Sequence, residues 1–333
     1  MHISPEGRKM RVGNFYTFNT ECADSAAAWG YLGLAKSRFP DIMQHFGSRA
    51  VGLAASGGHY SMVKWIVENQ RNPNVVNCKS SIKNKSAMDM AVTSGSVKMM
   101  QWLHDNNVGG CSTTAMDLAA SLGNLKLVKW LHKNRTEGCT ERAMDFAALR
   151  GELKVIKWLH ENRKERCSEM ALIWAIKYGR LPVVKWLWRK RNDSNMTWVI
   201  DGARKYGVDI AAKYGKLPIV MFLCKHDVGH TSKAMRYAAK KGHLDVVKWF
   251  YEEYDEMFDD TDILKKVCVK GHIHVAKWLW KTHIHLFEMN MTLIEEIMEE
   301  CVLWEFSPSV RVLMYAWLIR KRDEIKEEIS EFA

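Results

Sequence analysis

Trp102, Trp130, Trp158 and Trp186 stand 28 residues apart, the last three each inside a Lys-Trp-Leu tripeptide. A fixed period of that size means one supersecondary unit copied in series, each copy burying its apolar face against the next. The working part of such a chain is a long surface, not a single pocket.

The same column takes in Trp65, Trp249 and Trp278, Phe222 replaces the indole in one copy, and Trp317 sits in a weaker match. A glycine lies seven residues before each of the first eight: Gly58, Gly95, Gly123, Gly151, Gly179, Gly215, Gly242 and Gly271. Eight repeats follow, at about 48–84, 85–112, 113–140, 141–168, 169–204, 205–231, 232–260 and 261–288. Residues 1–47 form an N-terminal segment with a capping helix over Ala23 to Arg38, and residues 289–333 supply C-terminal capping helices over Met291 to Glu331. Solenoids need a polar outer face at each end.

Thr140 to Cys167 shows one unit: TERAMDFAALRGELKVIKWLHENRKERC. Ser112, Thr140, Ser168 and Thr231 share a column just before an Ala-rich stretch, where a hydroxyl accepts from an orphan helical N–H. Ala143, Ala147 and Ala148 allow close helix approach, and Gly151 ends that first helix in a left-handed turn. Leu153, Ile156, Leu159 and His160 then recur at helical spacing, with Trp158 widening the apolar face. Each unit is therefore an antiparallel helix pair whose tryptophan is expected to be buried between neighbours.

The stretches GNLKLVKWL, GELKVIKWL and GHLDVVKWF resemble the second helix of ankyrin repeats, and AMDLAA and AMDFAA resemble the first, over about three quarters of the chain. The resemblance implies an all-α, ankyrin-type solenoid with shortened hairpin fingers and helical end caps. Its short, tryptophan-rich style resembles the large ankyrin families of oomycetes and giant DNA viruses. The family's Thr-Pro-Leu-His tetrad is replaced here by forms such as Thr114-Ala115-Met116-Asp117, and the repeat is about five residues shorter than the usual 33. Two longer units, through Asn72 to Lys85 and Arg189 to Arg204, are expected to project loops.

His104, His132 and His160 precede Cys111, Cys139 and Cys167 by seven residues each, and both types ligate zinc. Each type fills one column of a copied unit, so packing explains the ladder and no metal site is expected. Asp89, Asp117, Asp145 and Asp209 form a column without partner carboxylates, which points to inter-repeat hydrogen bonds over acid catalysis. His272 is the Gly-His start of a second helix, and His274, His283 and His285 read as a surface cluster. No Walker A, GxGxxG, HExxH or GxSxG motif occurs, so neither a catalytic residue nor a cofactor is assigned.

The eight cysteines lack CxxC pairing and fit a reduced compartment. No apolar leader or membrane-length run occurs, so the expected location is cytoplasmic, with the nucleus as the alternative. The chain carries +11, divided as +9 over residues 1–168, +10 over 169–251 and −8 over 252–333. The densest positive field lies in the middle repeats.

By the ankyrin resemblance, the two residues before each inter-helix glycine face a concave groove. The pairs in the first three repeats are uncharged, whereas the later ones supply Arg150, Lys177, Tyr178, Lys213, Tyr214, Lys240, Lys241 and Lys270. A basic groove with interleaved tyrosines suits an acidic or phosphorylated protein segment, and nucleic acid is the alternative partner. The expectation is a monomeric, non-enzymatic scaffold with no membrane partner. The loop from Glu252 to Asp262 is expected to be a solvated acidic turn beside it.

Overall fold

A computed structural model describes residues 15–38, 46, 49–69, 87–190, 201–254, 262–282, 291–302 and 308–331. Among them every regular element is helical, and the helices follow one another as short antiparallel pairs. The chain divides into two compact units, residues 1–171 and 172–333.

The first unit opens with α1 (Phe15–Trp29) and α2 (Leu32–Arg38), then α3 (Ala50–Ser56), α4 (Tyr60–Asn69), α5 (Ala87–Ala91), α6 (Val97–Asp105), α7 (Thr113–Ser121), α8 (Leu125–Asn134), α9 (Arg142–Arg150) and α10 (Leu153–Asn162). The first helices pack side by side, α1 on α3, α3 on α5 and α7 on α9, while each second helix lies back on its own first helix. Paired alanines make the close approach possible: Ala54 and Ala55, Ala119 and Ala120, and Ala147 and Ala148 are all buried. Val128 with Leu131, and Ile156 with Leu159, fill the space between the layers.

Helix α11 (Met170–Lys177) is followed in the second unit by α12 (Leu181–Arg189), α13 (Asp201–Lys213), α14 (Leu217–Cys224), α15 (Lys233–Lys240), α16 (Leu244–Tyr254), α17 (Asp262–Val269), α18 (Ile273–Thr282), α19 (Met291–Val302) and α20 (Pro308–Glu331). Here α13 packs on α15, α15 on α17 and α17 on α19, a side-by-side layer of first helices within this unit. Val220, Leu223, Val247, Phe250 and Leu279 are among its buried residues.

Four details differ from the sequence reading. Gly30, at φ 70°, splits the expected single capping helix into α1 and α2. Residues 201–204, assigned to a loop, open α13 and lengthen it beyond its counterparts. Glu252 to Tyr254 complete α16 and Asp262 begins α17, so both ends of the acidic run are helical. The tryptophan column from Trp65 to Trp278 is only partly buried, and the fully enclosed positions belong to its aliphatic neighbours. Trp130 packs edge-on against His104 of the preceding repeat, and its indole N–H donates to Gln101 at 2.7 Å. An indole with one wet edge that bridges two outer helices explains that intermediate burial. The long finger from Asn72 to Lys85 lies outside the described residues.

Candidate functional site

Each column aspartate is buried and grips the start of the next first helix through two oxygens. Asp117 Oδ1 accepts from the Thr140 backbone N–H at 2.8 Å and its Oδ2 from the Thr140 hydroxyl at 2.7 Å. The Thr140 oxygen in turn accepts from the Arg142 N–H at 3.2 Å, which caps α9. Asp89 with Ser112, Asp145 with Ser168 and Asp209 with Thr231 repeat this arrangement. Burial pushes the Asp117 and Asp145 carboxyls above the usual value, against the hydrogen bonds that favour their charge. Their chemistry is structural, as the missing partner column implied.

The histidine and cysteine ladder is also a seam. His104 Nδ1 accepts from Arg135 at 3.4 Å, and His132 Nδ1 accepts from Arg163 at 3.3 Å. Those arginines pair with Glu137 and Glu165, closing the short fingers. Burial pushes the thiols of Cys111 and Cys167 up to about 12 and that of Cys139 to about 11, so they stay protonated and inert. A guanidinium beside His104 and another beside His132 would also oppose a cation there. No group of three or more metal-ligating side chains occurs among the described residues.

The turns between paired helices place the candidate surface. Gly215 adopts φ 65°, and a Cβ there would lie 2.5 Å from His243 Nδ1, so this turn requires glycine. His243 uses its Nε2 to bond the Lys213 carbonyl at 3.2 Å, holding the end of α13 against the next repeat. That fixes where Lys213 and Tyr214 leave the helix.

In the second unit these positions form a ladder of alternating ammonium groups and rings. Lys177 Nζ lies 5.3 Å from the centre of the Tyr178 ring and 5.2 Å from that of Tyr214. Lys213 Nζ lies 5.8 Å from Tyr214 and 5.6 Å from Tyr237. All are within cation–π range. The rings remain 43%, 36% and 37% exposed at Tyr178, Tyr214 and Tyr237, so the ladder is open to a partner.

Tyr237 escaped the sequence reading because it lies three residues before Lys240, outside the pre-glycine pair. Its signal was the i, i+3 spacing that puts both on one face of α15. Lys240 and Lys270 line one cavity of about 470 Å³ with Asp262, Lys265, Lys266, Val269 and Glu300. Lys241 is exposed at the end of α15. Arg150 closes α9 in the first unit, and the ladder of the second unit begins at Lys177. At the matching neutral positions of the first unit, Ser56 and Thr93 share a hydrogen bond of 2.8 Å and Leu122 stands exposed.

Residues 51–143 and 116–198 match the family model for ankyrin repeats, in three copies. Residues 51–198 are ankyrin repeats. No curated protein matches the chain. Ankyrin repeats generally mediate protein–protein interactions, so the array implies a protein partner. The matched ankyrin stretch contains the clamps of Asp89, Asp117 and Asp145 together with Lys177 and Tyr178; the remaining rungs of the ladder follow it in sequence. No described helix is long and apolar enough to cross a membrane.

Proposed function

We propose that this ankyrin array is a non-enzymatic scaffold that takes an extended acidic segment of a partner protein along the Lys177–Lys270 face. The alternating lysine and tyrosine ladder supports the reading. Tyr214 already carries two ammonium groups near its ring, so it steadies cations in place of offering an open platform for a nucleic-acid base. Fixed, partly exposed ammonium groups in a row match carboxylates along an extended chain. Residues 169–251 carry +10, which would also steer an anionic partner toward this face.

A fluorescent Glu/Asp-rich peptide supplies the test. Lys177→Glu, Lys213→Glu and Lys240→Glu together should weaken its binding on the order of 100-fold, from about 1 kcal/mol per contact, while helicity and melting persist. The same reversal at Lys157, Lys185 and Lys248, exposed on second helices, should matter little. Loss of binding in the second variant with retention in the first would place the working face on the other side. A single-stranded oligonucleotide that binds more tightly than the peptide, with a steep fall in affinity on adding salt, would favour nucleic acid.

A further inference from the structure

The residue that follows each inter-helix glycine changes character along the second unit. It is Arg180 and Lys216 in the first two turns and His243 and His272 in the next two, so permanent cations give way to side chains that titrate near neutrality. Both histidines are half-buried and reach back to the turn of the preceding repeat. His243 bonds the Lys213 carbonyl through Nε2 at 3.2 Å, and the Lys240 carbonyl acts on His272 as a hydrogen-bond acceptor. A carbonyl only accepts, so Nε2 of neutral His243 carries the proton and Nδ1 is the site of the second. That nitrogen lies over the Gly215 turn, where a glycine Cβ would meet it at 2.5 Å, and His272 Nδ1 stands over Gly242 in the same way, at 2.6 Å. Each imidazole is thus tied to the backbone of a ladder lysine, and in His243 the nitrogen that takes the charge is not used in that bond.

The charges around the pair are mostly positive. Lys216 from the preceding turn and Lys241 from the end of α15 act on His243, against one carboxylate, Asp245 at the start of α16. His272 faces Lys241, His243 and His274, with the His274 ring centred 6.3 Å away, and Lys270 precedes its turn. His274 is itself exposed and bonds the Gly242 carbonyl at 2.9 Å. Burial above all, with the neighbouring lysines and histidines adding to it, holds both imidazoles below the ordinary 6.5 in the free chain. An anionic segment laid along Lys213, Lys240 and Lys241 would offset that repulsion and draw a proton onto the rings. We propose that His243 and His272 are proton-dependent contacts of the acidic-partner site, adding positive charge to the ladder in a mildly acidic medium and withdrawing it above neutrality; this rests on the acidic-segment reading above. By linkage, a partner that raises the proton affinity of the imidazoles must bind more tightly as pH falls. The fold alone responds with the opposite sign, because neutral rings stabilise it above 6.5 and that contribution is lost as pH falls through their lowered values.

The fluorescent Glu/Asp-rich peptide tests this at about pH 7.5 and about pH 5.5, a range in which its carboxylates stay ionised while histidine changes charge. The full wild-type chain should bind it about three- to tenfold more tightly at the lower pH, the effect of one or two added cations partly screened by solvent. His243→Asn with His272→Asn keeps an amide donor for each carbonyl, as Asn124 serves the Gly95 carbonyl at 2.9 Å in the same column, and removes the titration. That variant should bind equally at both pH values. A wild-type affinity that does not change with pH, or a rise that persists in the asparagine variant, would overturn the proposal and leave the ladder reading in place. Calorimetry of the wild-type chain in two buffers of different ionisation enthalpy supplies a readout that needs no variant. Near about pH 6 peptide binding should take up protons, and binding without uptake would count against the proposal. A peptide that binds at neither pH would sink the ladder reading, and this inference with it.

Discussion

Replacing Asp117 tests the seam that holds the ankyrin repeats in register. Asp117→Ala removes two short hydrogen bonds, at 2.8 Å to the Thr140 N–H and 2.7 Å to its hydroxyl, and leaves the N–H without its acceptor. The hydroxyl can turn to another acceptor, but the N–H cannot. An unsatisfied buried donor costs about 1–3 kcal/mol and each lost bond about 1 kcal/mol, so the alanine variant should lose about 2–4 kcal/mol. Asp117→Asn should behave differently. Its carbonyl oxygen can still accept from the N–H, its amide can donate to the Thr140 oxygen, and it removes the buried charge whose carboxyl burial pushes up. The asparagine variant should therefore stay within about 1 kcal/mol of wild type. Urea denaturation followed by circular dichroism measures both, and a cycle with Thr140→Val isolates the coupling. If asparagine is as damaging as alanine, charge and not hydrogen-bond geometry holds the seam, and the reasoning fails.

Trp130→Ala should cost about 2–4 kcal/mol, because the indole is only partly buried; an unchanged denaturation midpoint would show that its contacts with His104 and Gln101 contribute nothing. Burial lowers the pKa of His243 and, aided by His274, of His272 below the ordinary 6.5. These neutral histidines stabilise the fold above that value, and their contribution should be lost as pH falls through the lowered folded-state values. Hydrogen exchange in the second unit should quicken over that window, and an unchanged rate would count against the lowered values. Asp117 and Asp145 have the opposite sign: their raised values favour the fold most below the usual carboxylate pKa and less as pH rises past it. Alkylation should label exposed Cys22 well before buried Cys139 and Cys167, whose pKa values are about 11 and about 12; rapid labelling of Cys167 would contradict its burial.

Much of this fold is legible because one unit is written many times. The glycine seven residues before each column aromatic has positive φ in all eight repeats, and the Ser/Thr column caps first helices as its hydroxyls implied. Repetition also exposed the aspartate column as structural, since a satisfied pair recurring 22 or 23 residues apart has the geometry of a seam. The depth of a large side chain was less legible. Trp130 and Leu131 are adjacent letters of equal apparent hydrophobicity, yet rotation by one residue on α8 turns Leu131 into the core and leaves the indole with an exposed edge. The cavity was not legible at all, because Lys240, Lys265 and Lys266 meet through the packing of α15 on α17, a proximity that no spacing within one repeat encodes.

The two kinds of column explain how one repeat can hold the chain together and still differ from place to place. Seam positions engage both neighbours: Asp117 accepts from the following repeat, while Asn124 reaches back to the Gly95 carbonyl at 2.9 Å. A change there strands a buried polar group on an adjoining helix, so the cost is structural. Positions before the glycine touch solvent on one side, and their side chains can vary with little loss of stability. In the first unit they hold Ser56, Thr93 and Leu122; in the second they hold Lys177, Tyr178, Lys213 and Tyr214. A scaffold whose seams are met by fixed hydrogen bonds can therefore carry a charged, aromatic face without being rebuilt. Binding specificity should then follow the ladder, while stability follows the clamps, and the two sets of variants should separate cleanly in denaturation and peptide-binding measurements.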